Sequence, residues 1–285
     1  MAAITASPER SLLAVMLSRR IVSVALALLV AIFGIAVLGP VLAPLDPSSM
    51  SVRQRLTPPG AAFWLGSDAF GRDVLSRLIY AGRVSLLIGA GVALVSAVAG
   101  IVIGLLAGFF RRLDGPLSRL IDAMMAFPDI LLAISLVAIL GGSVISVIIA
   151  LSIVYTPRIA RIVRASTLVV RELPYVEAAR ALGSSTGYVL TRHVLLNISS
   201  PIIVQATFIF AYAMLAEAGL SFLGVGVDPS TPTWGTMINE GRQFIDRSPY
   251  LILFPGLAIS FSVLSLQLVG DGLRDALDPK IARQM

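Results

Sequence analysis

Long apolar stretches constrain this chain more than any other feature of its sequence. Ordinary soluble domains carry about 25% charged residues, whereas this 285-residue chain is 57% hydrophobic and 13% charged. Its apolar residues are collected in five stretches, 21–43, 84–109, 123–157, 198–218 and 250–270. Because a helix needs about 20 apolar residues to cross a bilayer, we predict an all-α, polytopic membrane protein.

The third stretch is too long for one ordinary membrane span. Gly141-Gly142-Ser143 interrupts it near the middle, and glycine pairs of this kind mark turns. Dividing the stretch there gives two short spans, 123–140 and 144–160. The sequence therefore predicts six transmembrane helices.

The distribution of basic residues supports six spans and indicates an orientation. Cytoplasmic segments of membrane proteins carry an excess of Lys and Arg. With six spans and a cytoplasmic N-terminus, 15 of the 22 basic residues lie in inner segments, among them Arg10, Arg19 and Arg20. With five spans, the Arg-rich segment 158–192 would face outward. We therefore expect both termini in the cytoplasm.

The chain divides into a core and an N-terminal part. The first apolar stretch, 21–43, is interpreted as a retained span, because its 23 residues exceed the about 7–15 of a signal-peptide core. Two long outer segments, 44–82 and 219–249, contain Pro, Gly and Trp, which is typical of loops at the membrane interface. We predict an N-terminal tail, span and loop in 1–82 and a five-span core in 83–285.

The composition excludes most catalytic and cofactor sites. The chain has no cysteine, and its single histidine and lysine are His193 and Lys280. A multi-histidine or cysteine-ligated metal site therefore cannot be built, and Lys280 lacks the Gly-Lys-Ser/Thr context of a phosphate-binding loop. We predict no catalytic residue, no metal and no cofactor. The net charge of +6 is explained by topology, so membrane lipid and not nucleic acid is the expected contact.

Residues 171–197 form the most informative segment between spans. Pro174 suits the first turn of a helix, and Gly183 suits the left-handed residue that stops one. Ser184 or Ser185 can then cap a second helix. The pattern predicts two short helices with a sharp bend outside the bilayer. By itself it fits a docking surface for another protein and an ordinary amphipathic surface loop equally well.

The sequence Glu177-Ala178-Ala179, followed by Gly183, resembles the EAA loop of bacterial ABC importer permeases. In that family the loop inserts into a cleft of the ATPase subunit. The family pattern continues with Ile-x-Leu-Pro, where Leu195 matches and Leu196 replaces the usual proline. The second helix is therefore expected to run straighter into the fifth span. The resemblance implies the following ATPase-docking residues: Glu177, Ala178, Ala179, Arg180, Gly183 and Leu195.

Further motifs extend the resemblance over most of the chain. They are similar, in the same order, to the C subunit of dipeptide, oligopeptide and nickel permeases. The motifs are residues 65–89, 126–128, 220–224, 232–235 and 270–275. The resemblance implies a subunit of the bacterial inner membrane that pairs with a second, homologous permease, two ATP-binding subunits inside and a substrate-binding protein outside. Di- and oligopeptides are the first expected substrates, and nickel or another small solute is the alternative.

Two functions without an ATPase are less well supported. A secondary transporter requires ionisable residues near the membrane midplane and an inverted repeat, and the sequence shows neither. An intramembrane protease would use Asp129 and Asp271, yet both lie near span ends, where their carboxylates do not meet inside the bilayer. His193 is interpreted as a packed or interfacial residue, and Glu217 as a structural one.

Two local patterns leave alternatives open. Asp73 and Arg77 are four residues apart and can pair on an interfacial helix, 70–83, that leads into the second span. The same surface can instead contact a binding protein. Small residues also recur every four positions, at Gly100, Gly104 and Gly108. This spacing permits close helix packing, either within the chain or with a second permease subunit.

Overall fold

The computed structural model describes residues 16–277, and this range is helical without a β-strand. In chain order the helices are α1 (Arg20–Val37), α2 (Val74–Phe109), α3 (Arg111–Met125), α4 (Asp129–Leu140), α5 (Val144–Val170), α6 (Pro174–Ala181), α7 (Thr186–Phe222), α8 (Trp234–Gly241) and α9 (Tyr250–Leu277). Helices α1, α2, α5, α7 and α9 are long and apolar enough to cross a membrane, and the bent pair α3–α4 brings the number to six when it is taken as one span. The predicted all-α membrane fold with six spans is confirmed. Both chain ends, with Arg10 and Lys280, lie outside the described residues.

The turn between the third and fourth spans lies where the sequence predicts it. Gly141 has a φ of +89°, which glycine adopts without steric penalty, and the Ser143 side chain caps α5. The predicted third span, 123–140, is wrong in its first residues, because the chain bends by 92° before α4 begins at Asp129. Pro128 explains the break, since proline disfavours helical conformation in the residue before it.

Helix α5 extends beyond the predicted span end, residue 160, and holds the bent pair in place. Three of its arginines pair with carboxylates of α3 and α4. The ion pairs are Arg158–Asp129, Arg161–Asp122 (2.6 Å) and Arg164–Asp114 (2.5 Å). Exposed ion pairs contribute about 0–1 kcal/mol each to stability. These three pairs therefore orient α3 and α4 against α5 and add little to the stability of the fold. The Asp129 carboxylate forms an ion pair with Arg158. An intramembrane aspartyl protease instead needs two carboxylates that face each other, so this pairing does not fit that alternative.

Close packing of α2 against α5 forms the centre of the core. A Cβ atom added at any of the three glycines of the stripe would lie 2.5–2.6 Å from a Cβ atom of α5. The facing residues are Ile159, Val163 and Thr167. The stripe of Gly100, Gly104 and Gly108 therefore serves packing within the chain, which is one of the two alternatives that its spacing predicts.

A buried ion-pair cluster joins the two outer segments. Arg77, whose side chain is 3% exposed, donates to Asp68 and to Glu240 of α8, at 2.6 Å in each case. Arg72 donates to the same two carboxylates at 2.6 and 2.9 Å. The two guanidinium groups and two carboxylates are fully paired, so the loop before α2 is tied firmly to α8.

The predicted pairing of Asp73 with Arg77 is wrong. The Asp73 carboxylate instead caps α2, where it accepts hydrogen bonds from the backbone N–H (2.8 Å) and the hydroxyl (2.6 Å) of Ser76. The helix predicted for 70–83 does lead into the second span, as expected, but it begins four residues later. Helix α2 begins at Val74 and runs without interruption into the second span, and its first turn is buried beneath the outer segments.

The Glu217 carboxylate links α7 by a hydrogen bond to the residue that precedes α8. The Glu217 side chain is 1% exposed, and Oε1 accepts hydrogen bonds of 2.8 Å from the hydroxyls of Ser221 and Thr233. The backbone N–H of Trp234, at the start of α8, donates to the Ser85 hydroxyl of α2. A buried carboxylate with two hydroxyl donors is satisfied in place, which agrees with the structural role predicted for Glu217.

Candidate docking segment

Helix α6 is short and has well-defined ends. Pro174 occupies its first position, where the missing N–H would have no partner within the helix. At the other end Gly183 has a φ of +84°. The Gly183 N–H donates to the Arg180 carbonyl and the Ser184 N–H to the Ala179 carbonyl, both at 3.0 Å. This Schellman arrangement confirms the predicted helix stop at Gly183.

The second helix of the segment is continuous with the fifth span. Ser185 caps it, as predicted. The helix then passes through a π-helical turn, Val189–Val194, and a 3₁₀ turn, Leu195–Ile198, before it becomes regular. The prediction of two short helices is therefore wrong for the second one. The continuous course matches the effect expected of Leu196, because a proline there would remove an N–H and disfavour helical conformation in the preceding residue.

Apolar residues anchor the segment to the membrane-spanning core. Val176 of α6 and Val194 of α7 are fully buried, in one cluster with residues of α2 and α5. His193 packs between the rings of Tyr175 and Tyr188, with centroid distances of 6.1 and 5.5 Å. The single histidine thus has a packing role, as predicted, and α6 is coupled mechanically to α7.

The predicted docking residues fall into an exposed group and a supporting group. The exposed group consists of Glu177, Ala178, Arg180 and Gly183. Ala179 and Leu195 are half-buried and pack against the core cluster. These two residues therefore support the segment from below and do not form its outer surface.

Sequence reasoning missed the most exposed apolar residue of the segment. Leu182 is 87% exposed and lies at the tip of α6. Leu173, Tyr175 and Tyr188 are also exposed, so apolar surface is concentrated in this short stretch outside the spans. Exposed apolar surface of this kind is available for contact with another protein. No local signal in the sequence shows this exposure, because it depends on the direction in which the tip of α6 points.

Behind α6 lies an open, largely basic cleft of about 550 Å³. Its charged lining residues are Arg111, Arg112, Arg171, Glu172, Glu177 and Arg180. The Arg180 guanidinium lies 5.6 Å from the centre of the Phe109 ring, and Arg171 donates to the Gly108 carbonyl at 2.5 Å. The docking segment therefore contacts the end of α2 as well as α5 and α7.

Comparison with known proteins identifies the family. Residues 100–283 match the sequence model of the binding-protein-dependent transport system inner membrane component. The chain is 49% identical over 266 residues to a putative peptide transport system permease protein of Brucella suis, covering 93% of this chain and 90% of that protein. It is 47% identical over 253 residues to the di/tripeptide transport system permease protein DppC of Pseudomonas aeruginosa (86% and 84% covered). It is 43% identical over 224 residues to the glutathione transport system permease protein GsiD of Pectobacterium atrosepticum (78% and 74% covered). Since these matches cover most of each protein, the chain belongs to the family of binding-protein-dependent transport system inner membrane components.

Proposed function

We propose that this chain is a permease subunit of an ATP-driven importer that moves di- and oligopeptides across the bacterial cytoplasmic membrane. The names of the three relatives refer to peptides, to di- and tripeptides and to glutathione, which is itself a tripeptide. The family description supports a separate substrate-binding protein as a partner. In this proposal the chain forms half of the passage, a second, homologous permease forms the other half, and two separate ATP-binding subunits hydrolyse ATP.

The form of α6 is the observation that carries the proposal. Val176 fixes one side of the helix to the core, whereas Glu177, Ala178 and the tip residue Leu182 are exposed. The small alanine allows another protein to approach the helix closely, and the charged residue can pair at the rim of the contact. Burial of the apolar tip against a partner removes it from water, which is favourable. We assign an ATPase subunit as that partner.

The same geometry gives a mechanical route from ATP to the membrane. Helix α6 joins α7 through a single bend at 182–185, and both share a buried cluster with α5. When ATP binding draws two ATPase subunits together, a docked α6 moves with them. Its buried contacts carry that movement to α5 and α7. The passage then opens alternately to the two sides of the membrane.

This mechanism places α6 in the cytoplasm, where ATP is available. The positive-inside tendency supports that side, because basic residues flank the segment on α5 and α7. They include Arg158, Arg161, Arg164, Arg171 and Arg192. With six spans both termini then lie in the cytoplasm, and α8 with the outer segments faces the substrate-binding protein.

Co-purification of the ATPase tests the docking assignment. This chain is co-expressed with its partner subunits and purified through a tag, and the amount of bound ATPase is measured. We expect Gly183→Arg to lose the ATPase, because a side chain strains the backbone at φ +84° by about 1–2 kcal/mol and adds bulk beside the docking tip. Gly187→Arg is the matched control, since a Cβ atom at either glycine meets open space and Gly187 has no positive φ.

A charge reversal provides a second, independent comparison. Glu177→Lys is expected to weaken ATPase binding, whereas Glu172→Lys, an equally exposed change outside α6, is expected to leave it intact. Equal ATPase binding by all four variants would show that α6 is not the docking element.

Reconstituted transport tests the substrate and the energy source. The complete complex in proteoliposomes, supplied with its binding protein, is expected to accumulate a labelled dipeptide only with ATP. Uptake of nickel but not of peptides would favour the small-solute alternative. Uptake by this chain alone, without an ATPase, would favour a secondary transporter and contradict the proposal.

A further inference from the structure

A cavity of about 580 Å³ lies among α5, α7 and α9, at the end of the bundle that carries α6. This end is called the inner end below. Helix α7 supplies the polar lining residues Asn197, Ser200 and Gln205, and α9 supplies Arg274. The remaining walls are apolar and include Phe208. A mixed polar and apolar lining distinguishes this cavity from the lipid-facing surfaces of the spans.

The cavity extends from the membrane surface into the hydrocarbon region. Gln205 lies seven residues beyond the start of the apolar stretch 198–218, which is about 10 Å along the helix axis at about 1.5 Å per residue. Arg274 lies four residues beyond the apolar stretch 250–270, at the level of the headgroups. Since the hydrocarbon core is about 30 Å thick, the polar lining reaches about a third of the way across it.

Three of the four polar lining side chains have no protein partner among the described residues, whereas Asn197 donates to the His193 carbonyl at 2.6 Å. Within residues 16–277, the side chains of Ser200, Gln205 and Arg274 make no hydrogen bond or ion pair with protein groups. Elsewhere in α7 the buried carboxylate of Glu217 is fully engaged by hydroxyls. A polar group without a partner is costly in hydrocarbon and is tolerated where it faces water. Ser200 and Arg274 lie near the membrane surface, so Gln205, about 10 Å along the helix axis into the apolar stretch, is the side chain that indicates a water-filled space.

We propose that this cavity is the wall that the subunit contributes to the inner end of the peptide passage, an inference that rests on the proposed function. The guanidinium of Arg274 matches the C-terminal carboxylate that free peptides share. The amide of Gln205 can donate to and accept from a peptide backbone. These groups recognise what all short peptides have in common, and the apolar wall at Phe208 accommodates varied side chains.

The natural absence of cysteine allows a direct test. Ser200→Cys and Gln205→Cys place one thiol each in the cavity of an otherwise cysteine-free chain. Ile203→Cys is the control, because Ile203 lies on the same helix at nearly the same depth, is 48% exposed and does not line the cavity. The complete reconstituted transporter is treated with a charged, membrane-impermeant thiosulfonate. Thiols react as thiolates, which form in water and not in lipid.

We expect both cavity thiols to react and the labelled complexes to lose dipeptide uptake, while Ile203→Cys is unreactive and keeps it. Unreactive cavity thiols would overturn the proposal and indicate that a partner helix or lipid fills the space. Labelling without loss of uptake would also overturn it, because the cavity would then be wet but off the passage. Uptake by the unlabelled complex is measured first, since it tests the proposed function separately.

A charge substitution tests the role of Arg274. Arg274→Gln is expected to reduce dipeptide uptake several-fold. Arg119→Gln is the control, because Arg119 is exposed on α3 and forms no ion pair within the described residues. This variant is expected to leave uptake unchanged. ATPase co-purification should be the same for both variants. Equal uptake by the two would remove Arg274 from the passage.

Discussion

Replacing Gly104 by alanine tests whether the close approach of α2 and α5 is required by this fold. The added Cβ atom would lie 2.5 Å from the Val163 Cβ and 2.7 Å from the Ala160 carbonyl oxygen. Carbon atoms in contact lie about 3.5–4.0 Å apart, so the two helices must separate locally by about 1 Å. No side-chain rotation relieves this clash, because both opposing atoms are fixed to the backbone of α5.

The expected magnitude follows from two opposing terms. Overpacking a core costs about 1–3 kcal/mol, and alanine gains about 1 kcal/mol over glycine in a helix. Gly256→Ala is the matched control, since Gly256 lies within α9 and a Cβ atom there has nothing within 4 Å. It gains the same helix term without the clash. The two variants should therefore differ in stability by about 1–3 kcal/mol, with Gly104→Ala the less stable.

Thermal unfolding of the purified complex in detergent provides the measurement. We expect Gly256→Ala to unfold at or above the temperature of the unaltered protein and Gly104→Ala to unfold below it. If Gly104→Ala is as stable as Gly256→Ala, the helices can separate without cost. The glycine stripe would then not be required for the close packing of α2 against α5.

Substitutions at two further positions, Asp68 and Glu217, test the polar contacts of the outer side. Asp68→Ala leaves the buried Arg77 with one carboxylate less and should destabilise the outer segments by about 3–5 kcal/mol, seen as faster proteolysis there. Asp246→Ala, which removes an exposed carboxylate from the second outer segment, should have no effect. Equal proteolysis of the two variants would show that the cluster is not needed. Glu217→Leu strands the Thr233 hydroxyl and should destabilise the protein by about 1–3 kcal/mol. Glu217→Gln keeps a hydrogen-bond acceptor and should retain dipeptide uptake. Loss of uptake in Glu217→Gln would instead indicate proton transfer through Glu217.

The sequence predicted those features that depend on local rules. Span positions follow from the length of apolar stretches, and the ends of α6 follow from Pro174 and Gly183, whose preferences depend on their own backbones. The break before α4 also has a local cause, Pro128. This proline lies inside an apolar stretch whose length alone predicts a span that starts at residue 123. The length of an apolar run predicts a crossing and does not show whether one straight helix makes it.

Contacts between distant parts of the chain were beyond local rules. The four-residue spacing of Asp73 and Arg77 suggests a pair, yet the guanidinium reaches Asp68 and Glu240, and Glu240 belongs to another outer segment. A buried charge takes the partners that the tertiary structure brings to it, so spacing alone cannot name them. The exposure of Leu182 was equally invisible, because it depends on the direction in which the α6 tip points.

The two ends of the molecule differ in whether their polar side chains have partners within the chain. In the segments 44–82 and 219–249 the charges of Arg77, Asp68 and Glu240 are paired. Glu217 accepts two hydrogen bonds there, and large apolar side chains such as Val52 and Trp64 are exposed. At the inner end Leu182 is exposed, and three polar side chains of the cavity, Ser200, Gln205 and Arg274, have no partner within the described residues. Hydrogen bonding is favourable where partners exist, so the polar side chains of the inner end are the groups that water, substrate or another subunit can still satisfy.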